Sequence, residues 1–203
     1  KREPDNILIP AEIPFRELIF SEKELERIVL LKNLLSDTKY TEMQQRLAEK
    51  NLPKGITVML YGDSGTGKTE VVKQIARETE REVMKVEISK SKSKWFGESE
   101  KIISRVFADY RLFVRECKKT PILFFNEADG IFSVRKEIGN STVDKTENTI
   151  QAIILEEMEN FEGILMATTN LITNLDTAFE RRFLFKIKFE KPSLSIRSRI
   201  WKS

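Results

Sequence analysis

The chain has 203 residues, 40% of them hydrophobic and 33% charged, with a formal net charge of +3. That length suits one domain with enough apolar content for a sizeable core, and so small a charge gives no argument for a nucleic-acid partner. Histidine is absent and Cys117 is the only cysteine, which excludes Ser-His-Asp and Cys-His catalysis, zinc sites built on histidine, and any disulfide within the chain. No apolar run approaches the length of a membrane span and no signal peptide is visible, so a cytoplasmic location is expected.

From the N-terminus, residues 1–20, with Pro4, Pro10 and Pro14, read as an extended lead-in. Leu25, Ile28, Leu31 and Leu35 recur on one helical face, and a second short helix is expected from Thr41, as its cap, to Leu47. Pro53 and Gly55 punctuate the entry to Ile56-Thr57-Val58-Met59-Leu60-Tyr61, apolar and β-branched enough for a buried parallel strand. Gly62-Asp63-Ser64-Gly65-Thr66-Gly67-Lys68-Thr69 follows, matching G-x-x-x-x-G-K-[ST], and after it Val71, Val72, Ile75, Ala76 and Thr79 recur at helical spacing. Strand, glycine loop and helix in that order are what phosphate binding requires. Glycines let the backbone wrap closely so that N–H groups point at the anion, and the helix N-terminus adds partial positive charge. An accidental glycine turn would lack both flanking elements.

Residues 83–88 alternate as a second strand, and a polar, basic run at 89–94 leads into Trp95-Phe96-Gly97. The next helix carries Ile103, Val106, Phe107, Tyr110, Val114 and Cys117 on one face, so Cys117 reads as core packing rather than a reactive thiol. Ile122-Leu123-Phe124-Phe125 is a third strand, residues 134–145 a polar loop, and Ile150, Ile153, Ile154 and Met158 mark a further helix. Residues 164–167 and 184–189 give a fourth and a fifth strand. Strands alternating with helices predict an α/β fold, a parallel sheet covered on both faces.

With ATP or ADP as the expected nucleotide, Lys68 is placed to reach the β-phosphate and, in ATP, the γ-phosphate, and the Thr69 hydroxyl to ligate Mg²⁺. Nucleotide contacts are therefore expected from Gly62, Asp63, Ser64, Gly65, Thr66, Gly67, Lys68 and Thr69, with Glu70 next in the helix. The third strand ends in Asn126-Glu127-Ala128-Asp129. Many phosphate-loop ATPases end this strand in Asp-Glu, where Asp holds Mg²⁺ through water and Glu polarises the attacking water. Glu127 is placed as that base. Asn126 takes the Asp position with an amide oxygen and no negative charge, which Asp129 would offset if it lay close.

These motifs together resemble the large ATPase subdomain of the AAA clade within the AAA+ superfamily. Gly62 to Thr69 is similar to its Walker A loop, and Ile122 to Glu127 to Walker B. Ala167-Thr168-Thr169-Asn170 resembles the sensor 1 strand end, and residues 175–183 the second region of homology. The resemblance implies a five-stranded sheet in the order 5-1-4-3-2. It implies that Asn170 helps position the water, and that Arg181 and Arg182 act as fingers in a neighbouring subunit's site. It places the adenine near Ile19 and Phe20, and makes Trp95, Phe96 and Gly97 a pore loop that grips a protein substrate in a hexameric ring. Residues 1–20 would then be lead-in, 21–191 the ATPase subdomain, and 192–203 the start of a helical lid cut short in an excised fragment.

The leading expectation is an ATPase that remodels, unfolds or translocates proteins. Two alternatives stand beside it: an assembly module in which Asn126 slows hydrolysis, and a DNA-handling ATPase that uses the basic run at residues 89–94.

Overall fold

The computed structural model describes residues 6–87, 99–133, 142–170 and 175–202. Six strands run in chain order: β1 (Ile7–Leu8), β2 (Ile56–Gly62), β3 (Val83–Glu87), β4 (Ile122–Asn126), β5 (Ile164–Thr169) and β6 (Phe185–Phe189). The helices are α1 (Glu22–Leu34), α2 (Asp37–Glu49), α3 (Lys68–Thr79), α4 (Ser99–Glu116), α5 (Asp129–Phe132), α6 (Thr142–Glu159), α7 (Thr177–Arg182) and α8 (Leu194–Lys202). All strands join one sheet in the order β1-β3-β4-β5-β2-β6. Read from the β6 edge, the five parallel strands β6, β2, β5, β4 and β3 give the expected 5-1-4-3-2 order. The lead-in adds a sixth strand, β1, which pairs antiparallel with β3 through Ile7–Met84 and Leu8–Val83. Two residues of strand carry no periodicity for a sequence to display.

The central strands β2, β4 and β5 are mostly apolar because both faces are covered, whereas β3 and β6 alternate with charged residues. Val58, Leu60, Phe124, Ile164 and Met166 face a core shared with α1 and α3, through Ile28, Leu31, Val71, Val72 and Ile75. Their alternates Met59, Leu123, Phe125, Leu165 and Ala167 face the other core, with Ile103, Phe107 and Tyr110 of α4 and Ile150, Ile154 and Met158 of α6. This is the strand period of two applied to each face.

Three boundaries differ from the sequence reading. Helix α2 begins after Ser36 rather than at Thr41, and none of its residues is buried. A helix without a buried face writes no apolar stripe, so its first turn was hidden. Helix α6 begins at Thr142, inside the stretch expected as loop, because its first turn, Thr142-Val143-Asp144-Lys145, is mostly polar. Cys117 lies just past the end of α4 and is half-buried, whereas Phe113 is buried and completes that helix's inner face.

Two polar side chains hold the end of the sheet away from the phosphate loop. The Tyr110 hydroxyl donates to Pro121 O (2.7 Å) and accepts from Ile164 N (3.1 Å), tying α4 to the starts of β4 and β5. Gly163 has φ +153°, and a Cβ there would lie 2.3 Å from that hydroxyl. Arg81, 1% exposed, donates to Leu35 O at 3.2 and 3.0 Å and to Thr120 O at 2.8 Å. Its guanidinium sits 4.6 Å from the Tyr40 ring centre and 3.5 Å from Asp37, which fastens α2 to the body of the domain.

Candidate nucleotide site

The end of β2 passes so close to β6 that only glycine fits: Gly62 has φ +139°, and a Cβ would meet Phe189 O at 2.0 Å. The loop then turns through Gly65 (φ +76°) and Gly67 (φ +90°), the left-handed region that side chains disfavour. The Thr66 hydroxyl closes the turn by donating to Asp63 O (2.8 Å). Gly67 is the N-cap of α3, so the unpaired N–H groups of that helix open onto the loop. Lys68 is 7% exposed and donates to Gly62 O (2.8 Å), Asp63 O (2.7 Å) and Asn170 Oδ1 (3.0 Å). Burial pushes its ammonium below the usual lysine pKa, against the opposing pull of Asp129, Asp63 and Glu127.

Strands β4 and β5 deliver the other side. The register Phe125–Ala167 brings Asn126 and Glu127 level with Thr168, Thr169 and Asn170. Thr168 organises the turn out of β4: its hydroxyl accepts from Glu127 N (3.0 Å) and donates to Asn126 Oδ1 (3.2 Å), while its carbonyl accepts from Ala128 N (2.8 Å). These bonds hold Glu127 at φ +54°, a conformation that costs a non-glycine residue roughly 1–2 kcal/mol. The strained turn leaves the Glu127 side chain exposed at a cleft of about 320 Å³, lined by residues 64–70 with Glu127, Thr168, Thr169 and Asn170.

Asn126 Oδ1 also accepts from the Thr69 hydroxyl (2.9 Å). Oxygen donors of this kind suit Mg²⁺, but hydroxyl and amide are both neutral, and among the described residues no group of three or more His, Cys, Asp or Glu could hold a metal alone. The pair therefore fits a Mg²⁺ whose charge is balanced by phosphates, with Thr69 and Asn126 supplying neutral contacts. Asp129 is held by the end of β5. Its two oxygens accept from the Thr169 hydroxyl (2.6 Å), Asn170 N (2.6 Å) and Asn170 Nδ2 (2.9 Å).

The other candidates are placed differently. Ile19 does not line the cleft. Phe20 lies against the loop instead, its ring 3.3 Å from where a Gly67 Cβ would sit and edge-on to Phe189. Glu70 lines the cleft, and its carboxylate accepts from Gln74 Nε2 (2.9 Å) with Arg16 at 3.6 Å. Arg181 is exposed. Arg182 is partly buried, donating to Ala178 O (3.1 Å) and pairing with Glu159. Its own carbonyl accepts from Thr57 Oγ1 (2.6 Å), near the start of β2, whereas the phosphate loop leaves the end of that strand, ~16 Å further along. Trp95, Phe96 and Gly97, like the basic run before them, lie outside the described residues.

A glycine loop between strand and helix, at the carboxyl ends of a parallel sheet in 5-1-4-3-2 order, defines a phosphate-loop nucleoside triphosphatase fold. Comparison narrows the class. Residues 58–191 match the family model "ATPase family associated with various cellular activities (AAA)", and the chain belongs to that family. It is 31% identical over 149 residues to the Arabidopsis thaliana "ATPase family AAA domain-containing protein FIGL1", covering 71% of this chain and 21% of that protein. It is 34% identical over 152 residues to the proteasome-activating nucleotidase of Aeropyrum pernix, covering 73% of this chain and 35% of that one. The chain thus spans about a fifth to a third of the length of these relatives. The crystal structure of a FIGL-1 AAA domain superposes with a TM-score of 0.70 at 21% identity, covering 98% of this chain and 62% of that one; a second, in complex with ADP, gives 0.65 at 23%.

Proposed function

We propose that this domain binds ATP with Mg²⁺ and hydrolyses it, and that within a homo-oligomeric ring, a hexamer, it drives the remodelling of protein substrates. The observation that carries the reading is the convergence on one cleft of the α3 N-terminus, the buried Lys68 ammonium, the Glu127 carboxylate and Asn170. In this reading the loop and α3 N–H groups take the phosphates, and Lys68 exchanges its carbonyl contacts for the β- and γ-phosphates. Thr69 directly and Asn126 through water would hold Mg²⁺, which would supply charge neutralisation to the phosphates. Glu127 accepts a proton from the attacking water, whose oxygen bonds to the γ-phosphorus as ADP leaves, and Asn170 orients that water. Arg181 and Arg182 serve the neighbouring subunit's cleft, because Arg182 starts at the far end of β2 from its own. Within this scheme residues 21–191 form the ATPase subdomain, 192–203 lead into a lid, Ile19 and Phe20 border the adenine, and Trp95, Phe96 and Gly97 grip substrate. No described helix is long and apolar enough to cross a membrane; a cytoplasmic location belongs to this proposal.

Glu127→Gln tests the base directly. Turnover is expected to fall by about 10²–10⁴ while ATP affinity stays within about threefold. Hydrolysis by that variant at the parent rate would remove Glu127 from the scheme. A second reading, ATP as assembly glue with little hydrolysis, draws on the neutral Asn126, and negligible turnover in the assembled protein would favour it.

A further inference from the structure

The bond between Lys68 and Asn170 leaves a question of polarity, because an amide turns either its oxygen or its nitrogen to the cleft. We infer that Asp129 is a positioning residue for hydrolysis: it fixes the Asn170 amide with its carbonyl oxygen, not its NH₂, facing Lys68 and the phosphate end of the cleft. This rests on the ATPase reading above.

The chemistry of the partners decides the orientation. A lysine ammonium only donates and a carboxylate only accepts. Asn170 lies between the two, with Oδ1 3.0 Å from Lys68 Nζ and Nδ2 2.9 Å from Asp129 Oδ2. Turning the amide over would set an oxygen against the carboxylate and an NH₂ against the ammonium, losing both bonds. Asp129 is itself fixed: its other oxygen accepts from Asn170 N and the Thr169 hydroxyl, both at 2.6 Å. One carboxylate at the start of α5 therefore grips the end of β5 through backbone and side chain together, and charge-assisted bonds of this kind are about twice as strong as neutral ones.

The consequence for the reaction is specific. An oxygen facing the cleft accepts a hydrogen from the attacking water, which orients a lone pair of that water toward phosphorus. An NH₂ in its place donates to a phosphate oxygen or to the water and leaves the lone pair misdirected. Asp129→Asn keeps the shape and removes the acceptor-only group, so both amide orientations become accessible. The loss belongs in turnover rather than binding.

The test is a variant set in the full chain with ATP and Mg²⁺. Asp129→Asn is expected to lower kcat by about tenfold or more with KM within about threefold. In an Asn170→Ala background the same change is expected to alter kcat less than about twofold, because the group it positions is gone. The exchange Asp129→Asn with Asn170→Asp rebuilds every bond with the charge on the other partner, and is expected to turn over faster than either single variant. Equal losses in both backgrounds, or a loss confined to KM, would overturn the inference. Side-chain amide NMR gives an arm that needs no turnover. The Asn170 NH₂ signal, identified by its loss in Asn170→Ala, is expected downfield and slow to exchange in the unaltered protein, and to shift in Asp129→Asn. A signal at the free-amide position, or one that Asp129→Asn leaves unmoved, contradicts the orientation even if the variant set cannot be completed. Absence of turnover in the unaltered protein would instead sink the ATPase reading, with the NMR arm still judging the amide.

Discussion

At the scale of single residues, Lys68, Asn126, Asp129 and Asn170 are each held by hydrogen bonds within the site. Lys68 is the clearest case, because burial disfavours its charge and three acceptors sustain it. Removing the ammonium leaves the phosphates without their deepest counter-charge, so Lys68→Ala is expected to weaken ATP and ADP binding by about 100-fold or more. Calorimetry showing unchanged affinity would overturn the phosphate-loop assignment for this chain. Asn126 presents the opposite situation, a neutral amide where charge would help hold Mg²⁺. Its oxygen already sits 2.9 Å from the Thr69 hydroxyl, so Asn126→Asp adds charge without changing shape. That variant is expected to reach half-maximal turnover at lower Mg²⁺. A magnesium titration that superposes on the parent curve would show that the missing charge is immaterial.

At the scale of elements, the sheet ends have separate duties: the carboxyl ends carry the cleft and the opposite ends carry the staples. Tyr110→Phe leaves Pro121 O and Ile164 N without their partner and is expected to cost about 1–3 kcal/mol by denaturant unfolding. Burial raises the Tyr110 phenol well above its ordinary value, and raises Tyr40 in the same direction. A folded pKa above the unfolded one gives stability that is whole below the unfolded value, near 10, and is lost as pH climbs from there toward the folded pKa. Alkaline destabilisation above about pH 10 is therefore expected, and is expected to be shallower in Tyr110→Phe; identical pH slopes would remove Tyr110 from that account. The five parallel strands and the loop were legible in the sequence because β2, β4 and β5 are apolar runs, β3 and β6 alternate, and the glycines follow a fixed spacing. The first turn of α2 was not, since none of that helix's residues is buried, and β1 was not, since backbone pairing alone defines it. The partner of Asp129 was equally hidden. Residues 129 and 170 are 41 apart in the chain, and only the pairing of β4 with β5 brings them together.

For the whole molecule, the proposed function turns on the position of the arginines. Arg182 shares a hydrogen bond with Thr57 at the far end of β2 from the phosphate loop and pairs with Glu159 of its own chain, while Arg181 is exposed beside it. Arg182 does not start near its own cleft, so under the proposed scheme guanidinium help at the transition state comes from a neighbouring copy, where such a finger contributes on the order of 10³–10⁵ in rate. Turnover per protomer is accordingly expected to rise with protein concentration, and a rate independent of concentration over the assembly range would argue against a shared site. The most direct measurement mixes two inactive forms of the assembled protein, one with Arg181→Ala and Arg182→Ala, the other with Glu127→Gln. Each retains what the other lacks, so ATP turnover in the mixture is expected to exceed that of both parts, as intact arginines of the Glu127→Gln protomers complete clefts whose Glu127 is intact. A mixture that stays as inactive as its components, while cross-linking shows that mixed assemblies form, would contradict the account.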